Sequence, residues 1–472
     1  MNVTQGNRYF EFRSMAITRP AILIPLSQGP ALYMRLTLLA ALVLITSVAM
    51  AQIPAIPDSS ANFNSDFHFQ LTTVTQYHPS FKARYTGANS LQPKEEHATT
   101  LTSTFFWGIQ VGKLFEFYIN PEIAGGAGVS SAKGIAGFTN GEAFRVGDPS
   151  PTIYIARAYA RHSFDLGGDK VSFSESANQV NKIRTEKYLD VVLGKFSIAD
   201  FFDNNKFSHD PRSQFSNWSL MSGGGWDYPA NVRGYTIGGM LELGLKDFKA
   251  RFATVMVPEE ANGNIMDKHI GKARSHTFEL EKPFTLFNQR GTIRGLVFYT
   301  MAHMGNYDEA VAKDPAAPDI TATRKYSRTK YGGVINIEQP LSDAWGFFMR
   351  GSWNDGKNET WAFTEIDNSL ALGFVQKEGF LKRESDELGF ATVFNGLSDQ
   401  HRNYLQQGGY GFIVGDGTLT YKREWITEIY YKVNLFYQGF WLTPDYQFVV
   451  NPAYNSDRGP ASIFSIRAHI EL

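Results

Sequence analysis

The chain has 472 residues, of which 43% are hydrophobic and 14% aromatic, with 43 glycines and no cysteine; 45 Lys+Arg against 46 Asp+Glu leave a net charge of -1. This near-balance excludes the basic excess of a nucleic-acid binder. The missing cysteine excludes a disulfide scaffold, a thiol nucleophile, Cys-ligated zinc and iron–sulfur clusters.

The first element in chain order is an address. Arg35 precedes an apolar run over 36–49, and Ala49-Met50-Ala51 supplies small residues around a cleavage point. This predicts a signal peptide over 34–51, too short for a membrane span and removed before Gln52. Residues 1–33 then form an over-extended start ahead of Met34 or an N-terminal extension. The Pro/Ser/Asn-rich stretch 52–66 is expected to be a periplasmic lead-in, and 67–472 one β-barrel domain.

Beyond Gln52 the dominant pattern has period two, as in strands with two unlike faces. Leu101, Phe105, Trp107, Ile109 and Val111 share one parity, and Thr102, Thr104 and Gln110 take the other. Phe115, Phe117 and Ile119 oppose Glu116, Tyr118 and Asn120; Trp345, Phe347, Met349 and Trp353 oppose Phe348, Arg350, Ser352 and Asn354. Thr427, Ile429, Tyr431 and Val433 oppose Glu428, Tyr430, Lys432 and Asn434. The last strand sets Phe464, Ile466, Ala468, Ile470 and Leu472 against Ser465, Arg467, His469 and Glu471. Stretches 124–151, 203–233 and 308–328 are predicted as loops, the last one external. Stretch 355–411 carries fewer clean strands and is expected to include a loop that folds inward.

Alternation alone fits a soluble sandwich as well as a membrane barrel. Full charges set between apolar neighbours, aromatics on the apolar parity near strand ends, and an amphipathic final strand favour the barrel. At roughly 25 residues per strand and connection the expected fold is all-β: a closed antiparallel transmembrane β-barrel of about 16 strands with inward-folded loops.

In 153–164, IYIARAYARHSF, Arg157, Tyr159 and Arg161 share a parity while Ala156, Ala158 and Ala160 take the other. Arginine at mid-membrane on the lipid face costs roughly 2–4 kcal/mol, so the alanines are expected outward and the arginines inward. Ile153 and Ile155 sit on the arginine parity and make that face mixed. Arg forks, carboxylates and Tyr rings together suit a sugar, which presents hydroxyls and an apolar C–H face. An arginine ladder that sets only pore size and field remains the alternative. His209-Asp210 after Asp200 and Asp203 is better explained by capping and turn carboxylates than by a metal or an acid/base pair. Gly223-Gly224-Gly225 is better explained as a turn than as an anion nest. No metalloprotease, phosphate-loop, serine-elbow or calcium-loop motif occurs, so no catalytic chemistry, metal or cofactor is expected.

Several blocks in order resemble the OprB-type carbohydrate-selective porins. They are GKFSIADFFDNN at 194–205, then Phe207-Ser208-His209-Asp210-Pro211-Arg212, Gln214-Phe215, Asn217-Trp218, Trp226-Asp227-Tyr228 and Arg233-Gly234-Tyr235. Asn140-Gly141-Glu142-Ala143, Arg145 and Ile155-Ala156-Arg157 are also similar, as are Asp445-Tyr446-Gln447-Phe448, Asn451 to Asn455 and Asp457 to Pro460. The resemblance spans about 67–472. It implies a sixteen-stranded barrel in the outer membrane of a Gram-negative cell that passes sugars, glucose-like ones especially, by passive diffusion through an Arg-containing constriction. It carries over Glu142, Arg145 and Arg157 as sugar contacts; the strand reading adds Tyr159 and Arg161. Expected partners are carbohydrate substrates, outer-membrane lipids and the barrel-assembly machinery, with no nucleic acid, and the state is monomer or homotrimer. A general diffusion porin is the main alternative. An outer-membrane barrel enzyme such as a lipid hydrolase lacks a Ser–His pair at suggestive spacing. A secreted β-sandwich binding module would remain soluble without detergent.

Overall fold

A computed structural model describes residues 63–472 except 113, 143–149, 380, 382 and 436–438. The signal peptide, the extension before it, most of the lead-in and Arg145 therefore lie outside the described residues. Sixteen antiparallel strands close into one barrel, in which β1 pairs with both β2 and β16. They are β1 (Phe63–His78), β2 (Glu96–Val111), β3 (Phe115–Gly126), β4 (Thr152–Phe173), β5 (Lys182–Phe196), β6 (Thr236–Leu245), β7 (Phe248–Val255) and β8 (Arg274–Leu286). The second half is β9 (Gln289–Met304), β10 (Lys325–Pro340), β11 (Trp345–Asn354), β12 (Asn368–Lys377), β13 (Glu387–Gly396), β14 (Glu424–Asn434), β15 (Phe440–Val450) and β16 (Ala461–Glu471). β1 begins at Phe63, so 63–66 belong to the first strand and not to the lead-in.

The two rims differ. At one, connections are short, as at Phe287-Asn288, where both residues take the positive φ of a two-residue hairpin. At the other, 127–151, 197–235, 256–273, 305–324, 355–367 and 397–423 are long. Short periplasmic turns and long external loops are the usual arrangement of such barrels, which orients the molecule. Loop 305–324 contains a helix, α2 (Tyr307–Lys313), and the last four residues of the predicted loop 308–328 belong to β10, which starts at Lys325. The preceding helix, α1 (Trp218–Met221), lies in loop 197–235, and α3 (Asp399–Gln406) lies in loop 397–423.

The predicted faces of β2, β3, β11, β14 and β16 hold: the apolar parity is outward and partly or fully exposed, and Glu116, Asn120, Arg350, Glu428 and Arg467 are buried inside. Outward aromatics meet across strands, as in Phe67 stacked on Trp107 at 5.6 Å and Phe394 on Trp425 at 5.9 Å.

Two expectations are corrected. First, Ala156 does not face lipid with Ala158. The β3–β4 register slips between Asn120 and Pro121, where Asn120 pairs with Arg157 and Pro121 with Ile155. Pro121 has no N–H to give the ladder, and a bulge at Ala156 absorbs the gap. Parity inverts there, so Ile153 (73% exposed) and Ile155 point outward while Arg157, Tyr159 and Arg161 point inward. Second, the stretch 355–411, expected to carry fewer clean strands and an inward loop, contains all of β12 and β13, and its segment 358–367 is buried against loop 197–235. Alternation fades there because the inner face is apolar too: Ala371, Val375, Ala391 and Val393 pack against Phe207, Phe215 and Leu220 of loop 197–235. That loop is the principal inward-folding segment.

Candidate functional site

Loop 197–235 leaves β5 through a 3-10 turn, Ile198–Asp200, closed by a capping box between Ser197 and Asp200. Short-range side-chain bonds then staple it. Asn205 Oδ1 accepts from Phe207 N at 2.9 Å, Asp210 Oδ1 from Arg212 N at 3.0 Å, and Asn217 Oδ1 from Ser219 N at 3.0 Å.

The far wall holds the loop by its backbone. Arg350 on β11 donates to Asp203 Oδ1 (3.0 Å) and to the carbonyls of Asp203 (3.0 Å), Ser208 (2.6 Å) and Leu220 (2.7 Å). Glu428 on β14 accepts the N–H groups of Ser216 (2.6 Å) and Asn217 (3.0 Å), and Arg467 donates to the Pro211 carbonyl at 2.8 Å. Gly223 and Gly224 lie so close to β10 and β12 that a Cβ would come within 2.7 Å of Val334 and 2.8 Å of Ser369. The glycine run therefore lets the loop backbone pack on the wall. Asp227 accepts the N–H groups of Trp361, Ala362 and Phe363 at 2.6–3.0 Å and ties the loop to segment 355–367. Burial, with the Arg350 guanidinium nearby, pushes the His209 imidazole below its usual pKa.

So anchored, the loop presents Asp200 and Arg212 to the β3–β4 wall. Arg157 grips Asp200 through two bonds, Nε to Oδ2 at 2.7 Å and Nη2 to Oδ1 at 2.6 Å. Arg212 bridges two acids: Nε reaches Glu142 Oε2 at 2.9 Å and Nη2 reaches Glu122 Oε2 at 3.2 Å. Glu142 also accepts from Thr102 at 2.5 Å. Glu122 accepts from Thr104 at 2.6 Å, from Tyr235 at 3.0 Å and from Tyr154. The Arg157 guanidinium lies 5.3 Å from the Tyr235 ring centre. Side chains of Arg157, Arg212 and Asp200 keep 12%, 17% and 27% of their surface exposed. Arg157 Nη1 and both amide atoms of neighbouring Asn120 are buried with no partner among the described residues.

The sequence-predicted residues thus divide. Glu142 and Arg157 belong to this cluster. Arg161 lies further toward the short-turn rim, 3.3 Å from Glu116, which also holds Lys182. Tyr159 stacks on Tyr118 with 4.9 Å between centres and is edged by Phe196 and Phe201. Arg145 lies outside the described residues. Sequence reasoning missed Glu122, Tyr154, Tyr235 and Arg212 as members of the cluster. Glu122 continues the inward parity of Glu116, Tyr118 and Asn120, while Arg212 and Tyr235 stood inside quoted motifs with no partner to give them a role. The acids Asp200 and Asp203 each answer an arginine of the wall.

A closed barrel with asymmetric rims and a charged inward loop defines an outer-membrane channel. A family model described as "Carbohydrate-selective porin, OprB family" matches residues 108–472, and the chain belongs to that family. It is a carbohydrate-selective porin, a channel and not an enzyme. Among solved structures, the high-pH structure of Pseudomonas putida OprB shares 15% identity with a TM-score of 0.62, covering 86% of this chain and 94% of that one. The low-pH structure of the same protein gives 11% identity and a TM-score of 0.47, with coverages of 86% and 92%. The outer membrane channel DcaP of Acinetobacter baumannii gives 9% and 0.47, with coverages of 88% and 99%. The first of these shows a shared fold. No curated protein sequence matches the chain.

Proposed function

We propose that the cluster of Arg157, Arg212, Glu122, Glu142, Asp200, Tyr154 and Tyr235 is the sugar-selective constriction, and that it passes monosaccharides such as glucose by passive diffusion. The observation that carries this reading is convergence: two arginines, three carboxylates and two phenols from β3, β4 and two loops meet at one level, with part of their surface open to the lumen. Fixed forks and carboxylates match sugar hydroxyls, and Tyr rings offer an apolar face. Each group already has a partner to return to, which keeps binding weak enough for release. The family resemblance also assigns Arg145 to sugar contact, and Tyr159 and Arg161 line the lower path.

The chain reaches the outer membrane by the signal at 34–51, is inserted among its lipids by the barrel-assembly machinery, and works as a monomer or homotrimer. Liposome swelling tests the sugar reading. Glucose should enter faster than neutral amino acids of matched size; equal rates would make the channel a general diffusion pore.

A further inference from the structure

The outward face of β8–β11 carries a groove of about 660 Å³. It arises from strand register. Ile335 pairs with Gly295 on one side and Gly351 on the other; one row toward the long-loop rim, Gly333 pairs with Val297 and Trp353. Leu280 and Phe278 continue the two rows on β8. Glycine and large apolar residues therefore alternate across the sheet, and the backbone forms the floor. A Cβ on Gly351 would meet nothing within 4 Å, and one on Gly295 only Ile335 Cδ1 at 3.8 Å. At Gly333 a Cβ would come within 2.8 Å of the Leu296 carbonyl oxygen, so strand packing accounts for that glycine; at Gly295 and Gly351 crowding does not require one, and glycine weakens a strand, so these two are not explained by packing within the chain.

Above the groove the chemistry changes in order. The next row is His276, Tyr299 and Tyr331, and the row after it Arg274, Met301 and Thr329. Lys268, His269 and Lys272 stand exposed in the turn that leads into β8. Among the described residues, Lys268, Lys272 and Arg274 form no ion pair with a carboxylate; Arg274 Nη1 instead donates to the Ile270 and Gly271 carbonyls at 2.9 and 3.0 Å. Of the nearby acids, Asp267 is buried and engaged by His269 at 2.9 Å, and Glu259 and Glu260 are exposed on the preceding stretch. Four residues of strand, about 13 Å, separate Phe278 from Arg274. An apolar slot, an aromatic belt and unpaired cations thus follow one another along one strip of wall.

We propose that this strip is a fixed site for a phosphorylated, multi-chain glycolipid of the outer leaflet. An acyl chain fills the glycine-notched groove, and a phosphate rests on Arg274, Lys272 and Lys268. Charge complementarity selects this occupant over a neutral lipid or a second copy of the chain, because exposed cations beside a membrane attract anionic headgroups.

The test uses the detergent-purified, delipidated barrel titrated with bisphosphorylated lipid A and followed by native mass spectrometry. One lipid A should be retained per barrel, and the dephosphorylated form should bind at least tenfold more weakly. The double variant Gly295→Leu/Gly351→Leu should lose lipid A binding at least tenfold while keeping heat-modifiable mobility and wild-type sugar flux. Lys272→Ala/Arg274→Ala should bind lipid A no better than wild type binds the dephosphorylated lipid. Equal retention by all variants, indifference to the phosphate, or full competition by inorganic phosphate alone would overturn the proposal. So would a fall in oligomer mass on filling the groove, which would assign this face to another copy of the chain.

Discussion

Arg157 on the β3–β4 wall and Arg350 on β11 look alike in sequence, each an inward arginine between apolar neighbours. In the structure they do opposite work. Arg350 is 1% exposed and spends its donors on one carboxylate and three loop carbonyls. Arg157 meets one loop carboxylate and keeps part of its surface exposed, and its Nη1 has no partner among the described residues. One wall fastens the loop by its backbone, and the other meets it through side chains that keep part of their surface exposed, which is why the proposed constriction is placed there. Strand parity separates lipid from lumen, and the loop then separates anchor from lining.

Arg350→Met should break this division most severely. It leaves Asp203 buried without its cation and frees three carbonyls, a loss of about 3–5 kcal/mol. The expected result is a barrel that still closes, unfolds at lower urea concentration in vesicles, and shows a larger single-channel conductance with little preference among solutes. An unchanged conductance would deny Arg350 its anchoring role. Arg212→Ala ranks next. Glu122 and Glu142 would lose their shared cation at a cost of about 1–3 kcal/mol, and the pore should become more cation-selective, read as a shift in reversal potential across a salt gradient. Arg161→Gln should have the smallest effect, because Glu116 keeps Lys182. About 1 kcal/mol, the worth of one hydrogen bond to a carboxylate that keeps its other partners, and a slight change in ion preference are expected, with glucose interaction intact. A loss of glucose interaction there as large as for Arg212→Ala would move the sugar path toward the short-turn rim.

Much of the fold was legible because the bilayer imposes a two-faced pattern on each strand. The clearest strands, such as β3 and β16, face polar or charged lumen on one side. Legibility failed where the lumen is not wet. On β12 and β13 the inner face packs on Phe207 and Phe215, so both parities are apolar and the strands were lost in the 355–411 stretch. On β4 the mixed face of Ile153, Ile155 and Arg157 was visible, but the bulge that resolves it depends on Pro121 of the neighbouring strand. The candidate cluster was legible in half for the same reason. Glu142 and Arg157 stood out, whereas Arg212 takes its role from Glu122 and Glu142, 90 and 70 residues away. Several of the loop residues that carried the resemblance are anchors: Asp203 for Arg350, Asn217 for Glu428, and Asp227 for segment 355–367.

The most direct test of the account is a planar-bilayer titration of the ion current with glucose, in wild type and in Arg157→Ala. The account predicts that glucose reduces the wild-type current with a saturable dependence, and that the variant needs roughly tenfold more glucose for the same reduction, equivalent to about 1.4 kcal/mol. Identical titration curves for the two proteins would contradict it.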